Sequence, residues 1–188
     1  MPFLGLFIAV VCLFTFFRKR SNRSQENVTD RFWKRESIAN NTRLQDLSGL
    51  PYITIPFDKF PIGMYENDLL KNYENTLQTL SGQKIVNFGT QTNTDLKITY
   101  GTASLPALTE YEQNFTSLCQ TLTAYAGQLF ELGHTDDART ILEYGISIGS
   151  DLSQNYLLLA KIYQSSGENG RIRELLASAA VSYTHLTL

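Results

Sequence analysis

Chemistry at a protein site needs a nucleophile, a base or a set of metal ligands at fixed spacing, and this sequence has few candidates. His134 lies beside Asp136 and Asp137. As a general base it would need a nucleophile within reach and a third group to orient it. The sequence supplies neither nearby. The two aspartates open a helical pattern, so first-turn carboxylates and a helix-capping His134 are expected. A calcium loop would require more oxygen ligands at set positions. Two histidines and two cysteines in 188 residues exclude a disulfide framework and a cysteine-built zinc site. Cys119 directly follows Leu118 and reads as a small hydrophobe at a helix contact. The polar run at 89–94 lacks the repeated glycines and closing Gly-Lys-Ser/Thr of a phosphate loop. No catalytic residue, metal, cofactor or small-molecule substrate is expected. An enzymatic alternative would put its site within 47–107, in a cleft near Asp58, Glu66 or Asp95.

The elements around these residues fall into unlike regions. Residues 2–17 are free of charge, and Arg18, Lys19, Arg20 and Arg23 follow at once. Sixteen helical residues span about 24 Å, short of a bilayer core of about 30 Å but workable with snorkelling flanks. The order of apolar and basic segments predicts a single-pass transmembrane anchor over 1–17 with the C-terminal bulk in the cytoplasm. Residues 18–46 read as a basic juxtamembrane linker, with eight basic against four acidic side chains. There Arg18, Lys19, Arg20, Arg23 and Trp33 are expected at the membrane interface, with the lipid bilayer as a partner. The alternative is an extracytoplasmic binding protein with a processed signal or a lipid anchor at Cys12. Residues 47–188 carry eight basic and fourteen acidic side chains, and the whole chain is −2. No basic field points to nucleic acid.

Residues 47–107 read as an irregular α+β segment packed on helices. Prolines 51 and 56 bound a short extended run, and Phe57, Phe60, Ile62 and Met64 continue it as an apolar strap. Asn67 or Asp68 can cap a helix running to Leu80. Residues 84–88 read as a strand, and 95–100 as a second strand or a short helix capped by Thr94.

From 108 onward the pattern is helical. Leu108, Tyr111, Phe115, Leu118, Leu122, Tyr125 and Leu129 step by three and four, and Gly133 ends the run. Further helices are expected from about Thr135 to Gly149, 153–166 and 169–179. A repeat of 34 residues maps Tyr125 onto Leu159, Ala126 onto Ala160, Leu129 onto Tyr163, Gly133 onto Gly167, Leu142 onto Leu176 and Gly145 onto Ala179.

These positions resemble the tetratricopeptide repeat family over about 119–180. Leu122 stands where tryptophan is usual, Ser150 where the closing proline is usual and Ile172 where alanine is usual. The resemblance implies a mainly α protein ending in antiparallel helix hairpins, a short α-solenoid over 108–180 that binds a protein or peptide. Its first helices would line a groove through Gln120, Thr123, Gly127, Glu131, Gln154, Leu157, Lys161 and Gln164. The family's lysine and asparagine clamp for a terminal carboxylate is missing, because Thr123, Gly127 and Leu158 occupy those positions. Residues 181–188 break the helical period, and their back-translation resembles the end of a sequencing adapter. They are expected to be a non-native tail. The function expected is a membrane-anchored interaction scaffold.

Overall fold

A computed structural model describes the backbone over residues 2–184, with side chains described over 28–180 and at scattered earlier positions. Its helices are α1 (Pro2–Asn41), α2 (Asp68–Ser81), α3 (Asn93–Tyr100), α4 (Leu105–Glu131), α5 (Thr135–Ser147), α6 (Ser153–Ser165) and α7 (Asn169–Thr184). The chain forms two compact units, one of residues 1–45 with 92–105, the other of 46–91 with 106–188.

The expected transmembrane anchor is corrected: among the described residues, no helix is long and apolar enough to cross a membrane. The uncharged run is only the first part of α1, which continues through the basic residues to Asn41. The expected linker is thus helical over 18–41. Charge pattern does not decide backbone, and no glycine or proline lies between Gly5 and Gly49 to break the helix.

Residues 92–105 join α1 in the first unit instead of packing with the rest of 47–107. The segment at 93–100 is a helix, and its cap is Thr92, not Thr94. Thr92 Oγ1 accepts from the Asp95 N–H while Asp95 Oδ2 accepts from the Thr92 N–H at 3.0 Å, a reciprocal capping box. Thr94 is used elsewhere: its hydroxyl donates to Glu36 at 2.9 Å. Lys97 also pairs with Glu36, and Arg35 with Asp95, so α3 is pinned to the end of α1 by two ion pairs. Ala39 and Leu96 are buried in this unit.

Lys97 and Thr94 hold the Glu36 carboxyl below its ordinary value. Hydrogen bonds from Thr92, and then the charge of Arg35, do the same for Asp95. A carboxyl depressed in the fold stabilises it above the unfolded value, and that contribution is lost as pH falls through the lowered folded value. The α1–α3 packing should therefore hold above the ordinary values of 4.5 and 3.8 and loosen progressively below them. The Gln45 N–H, bonded to Tyr100 O at 3.0 Å, reports on it. Its exchange protection, followed from neutral pH downward, should fall in that acid range; constant protection there would contradict the assignment.

In the second unit Asn67 caps α2, accepting from Leu69 N at 2.9 Å and Leu70 N at 3.2 Å. The strand expected at 84–88 is absent, and no strand occurs among the described residues. That segment is extended and buried at Ile85, Val86 and Phe88. Its bonds go to two different neighbours, Ile53 N to Ile85 O and Val86 N to Tyr111 O, so no ladder forms. The apolar residues that suggested a strand are buried against helices instead. The strap before α2 crosses this core: Ile55 and Phe60 are buried, and Phe60 meets Tyr144 edge to face at 5.5 Å.

Three helix ends close the same way. At Gly133, Gly149 and Gly167 φ is +88°, +88° and +72°. His134 N bonds Leu129 O while Gly133 N bonds Phe130 O; Ser150 and Gly149 do the same onto Gly145 and Ile146, and Glu168 and Gly167 onto Tyr163 and Gln164. Each is a Schellman turn, which reverses the chain and uses two orphan carbonyls. Helices α5 and α6 run antiparallel, for Gly145 meets Asn155 while Arg139 lies over the Tyr163 ring at 5.1 Å. A Cβ on Gly145 would come within 2.8 Å of Asn155 Nδ2, so the buried Asn155 amide would have to shift to admit one.

Helix α7 runs to Thr184, past the expected end at 179. The remainder of the expected tail, 185–188, lies outside the described residues. Leu142 is fully buried, but its counterpart Leu176 is 64% exposed, with no described helix following to cover it.

Candidate functional site

A groove of about 570 Å³ runs between α4 and the start of α6. Helix α4 contributes Gln120, Thr123, Ala124, Gly127, Gln128 and Glu131, residues that recur every three or four positions and so share one face. The turn and α6 contribute Leu152, Ser153, Gln154 and Leu158, and Tyr73 of α2 closes one side. Five of the eight groove residues expected from sequence (Gln120, Thr123, Gly127, Glu131 and Gln154) thus come together. Leu157, Lys161 and Gln164 do not line it, because α6 turns Leu158, four residues after Gln154, toward the groove. Leu157 is 64% exposed elsewhere on that helix.

Thr123 is buried at the groove floor, its hydroxyl donating to Cys119 O at 2.8 Å and standing 3.5 Å from Asn155 Oδ1. Cys119 is buried behind it, and burial pushes its thiol up to about 11. It is an inert packing group at neutral pH. The α4 partners Ala124 and Gln128 were legible as one helical turn beyond Gln120 and Ala124. Nothing in the sequence linked Tyr73 to this face.

Beneath the groove, Tyr125 and Glu74 are both buried, and the Tyr125 hydroxyl donates to Glu74 Oε1 at 3.0 Å. Gly63 N–H donates to the other carboxylate oxygen at 3.2 Å, tying the strap to α2 and α4. Burial, and then this carboxylate, raise the Tyr125 hydroxyl far above its ordinary value, so it stays a donor.

His134 takes the N-cap position of α5, as expected, with its carbonyl accepting from Ala138 N at 3.0 Å, but its side chain makes no cap bond. Its ring stacks on Tyr65 with centroids 3.6 Å apart, and Tyr65 OH donates to Asp137 Oδ2 at 2.6 Å. These groups fasten the strap to the start of α5.

On another face of the same unit a smaller cavity of about 300 Å³ lies among α5, α6 and α7. Its edge carries a charged network. Arg139 reaches Glu168 through two bonds, at 2.6 and 3.1 Å, and Glu143 at 2.8 Å; Tyr163 OH donates to Glu143 at 2.7 Å. Burial would raise Glu143, but the bonds from Arg139 and Tyr163 outweigh it and hold the carboxyl low. Arg139, Glu143 and Glu168 answer one another, so the network joins α5 to the start of α7 and to α6.

Asp58 and Glu66 are exposed. Asp95 is committed to the α3 cap and Arg35. Among the described residues no group of three His, Cys, Asp or Glu side chains gathers as a metal site. Trp33 is exposed on α1 with its ring 5.4 Å from Phe32. The side chains of Cys12, Arg18, Lys19, Arg20 and Arg23 lie outside the described residues.

The chain matches no family model, no curated protein and no solved structure.

Proposed function

We propose that the second unit is a protein-interaction module of tetratricopeptide-like helix hairpins whose α4–α6 groove holds an extended peptide of a partner protein. The observation that carries this reading is Gly127. It lies inside α4, facing the groove, and a Cβ there would touch nothing within 4 Å. Packing does not demand a glycine at this position, and helix stability disfavours one by about 0.5–1 kcal/mol relative to alanine. A smooth floor for a ligand backbone accounts for it. The flanking Gln120, Gln128 and Gln154 each offer a donor and an acceptor to a peptide backbone, and Glu131 adds one negative charge at the edge.

Two results are expected. Gly127→Ala should raise stability by about 0.5–1 kcal/mol in urea unfolding, since the residue gains helix propensity and meets nothing. Peptides selected from a random library on the intact chain should lose at least ~10-fold in affinity for Gly127→Trp, which fills the groove, and keep their affinity for Glu174→Ala at the smaller cavity. Equal affinity for wild type and a folded Gly127→Trp would place binding elsewhere and reject the groove.

A further inference from the structure

We infer that α1 docks along an anionic lipid surface, lying in it without crossing, with its N-terminal half sunk deepest. This inference goes beyond the groove and does not depend on it. Phe7, Phe14, Val28 and Phe32 are all more than half exposed. At 100° per residue these four fall within about 60° of each other, and Val11, Leu13 and Phe17, also exposed, extend the apolar surface around more of the N-terminal part of the helix. The same side of α1 is covered by α3 further along, at Glu36 and Ala39. These four side chains therefore lie on the same side of α1 as that packed face, with the polar Ser21 and Gln25 between them.

Lipid is the occupant that fits the charges. Residues 2–17 carry none, while Arg18, Lys19, Arg20, Arg23, Arg31 and Lys34 follow against only Glu26 and Asp30. A second copy laid side by side would bring these cations together. Anionic headgroups neutralise them, and apolar residues beside them sink into the acyl boundary. Trp33, exposed next to Phe32, belongs at the headgroup level where an indole is both apolar and hydrogen-bonded.

Trp33 is also the single tryptophan of the chain, so its emission reads the contact without a label. The full chain should float with phosphatidylcholine vesicles containing about 30% phosphatidylserine, with Trp33 emission shifted to the blue, and bind pure phosphatidylcholine at least ~10-fold more weakly. Phe7→Glu with Phe14→Glu should lose binding to both vesicle types. Arg18→Gln, Lys19→Gln, Arg20→Gln and Arg23→Gln together should abolish the preference for the anionic vesicles. Protected Gln45 amides in each variant would show that the α1–α3 packing is intact. The inference is overturned if the phenylalanine variant binds as well as wild type. It is also overturned if Trp33 emission stays unshifted with vesicles while sedimentation shows a dimer that the same variant dissolves, for then a second copy covers these side chains.

Discussion

Replacing Gly101 with alanine should open the first unit. Gly101 follows α3 at φ +85° and ψ 150°, a conformation that is close to glycine-only. A Cβ there would lie 2.5 Å from Arg43 O and 2.8 Å from Leu44 N, and these are backbone atoms with no rotamer to yield. Conformational strain and the clash together should cost about 3 kcal/mol or more. Gly133→Ala is the control, since it has φ +88° but nothing within 4 Å of the new atom. It should cost only about 1 kcal/mol of left-handed strain. Hydrogen exchange should show lost protection over 36–45 and 93–104 in Gly101→Ala alone. Comparable losses for the two variants would mean that the close approach of Gly101 to Arg43 does not exist in solution.

Tyr125→Ala should be the most damaging change in the second unit, at about 3–5 kcal/mol, because a fully buried aromatic ring leaves a cavity. The hydroxyl can be separated from the ring. Tyr125→Phe leaves Glu74, only 9% exposed, with the Gly63 N–H as its remaining donor among those described, and should cost about 1–3 kcal/mol. In a Glu74→Met background the same Tyr125→Phe change should cost much less, since the hydroxyl no longer serves a carboxylate. Chemical denaturation of the four proteins closes this cycle. Additive costs would show that the two side chains do not interact, and the tie between strap and hairpin would have to be sought at Tyr65 and His134.

Both sites show how far local pattern reaches. The spacing of Leu118, Leu122, Tyr125 and Leu129 determines a helix and its buried face, because side chains three and four apart lie together whatever the neighbours are. Glycine at 133 and 167 determines two of the chain reversals, since positive φ is a property of one residue. The α4 side of the groove was legible for the same reason. The sequence pattern failed where the deciding partner is remote. Apolar residues at 84–88 suit a strand or a buried extended segment equally, and only the absence of a neighbouring strand to pair with excludes the first. Residues 18–41 look like a tether by charge, but α3 supplies Lys97 to Glu36 and Asp95 to Arg35, and the segment is helix. Tyr73 reaches the groove from α2, and Leu158 displaces Leu157 by the rotation of α6 about its own axis. For α4 the sequence by itself determined the helix and the face it buries, because those depend on contacts a few residues apart. Tertiary structure alone decided which faces meet, because that depends on groups from distant parts of the chain competing for the same contact.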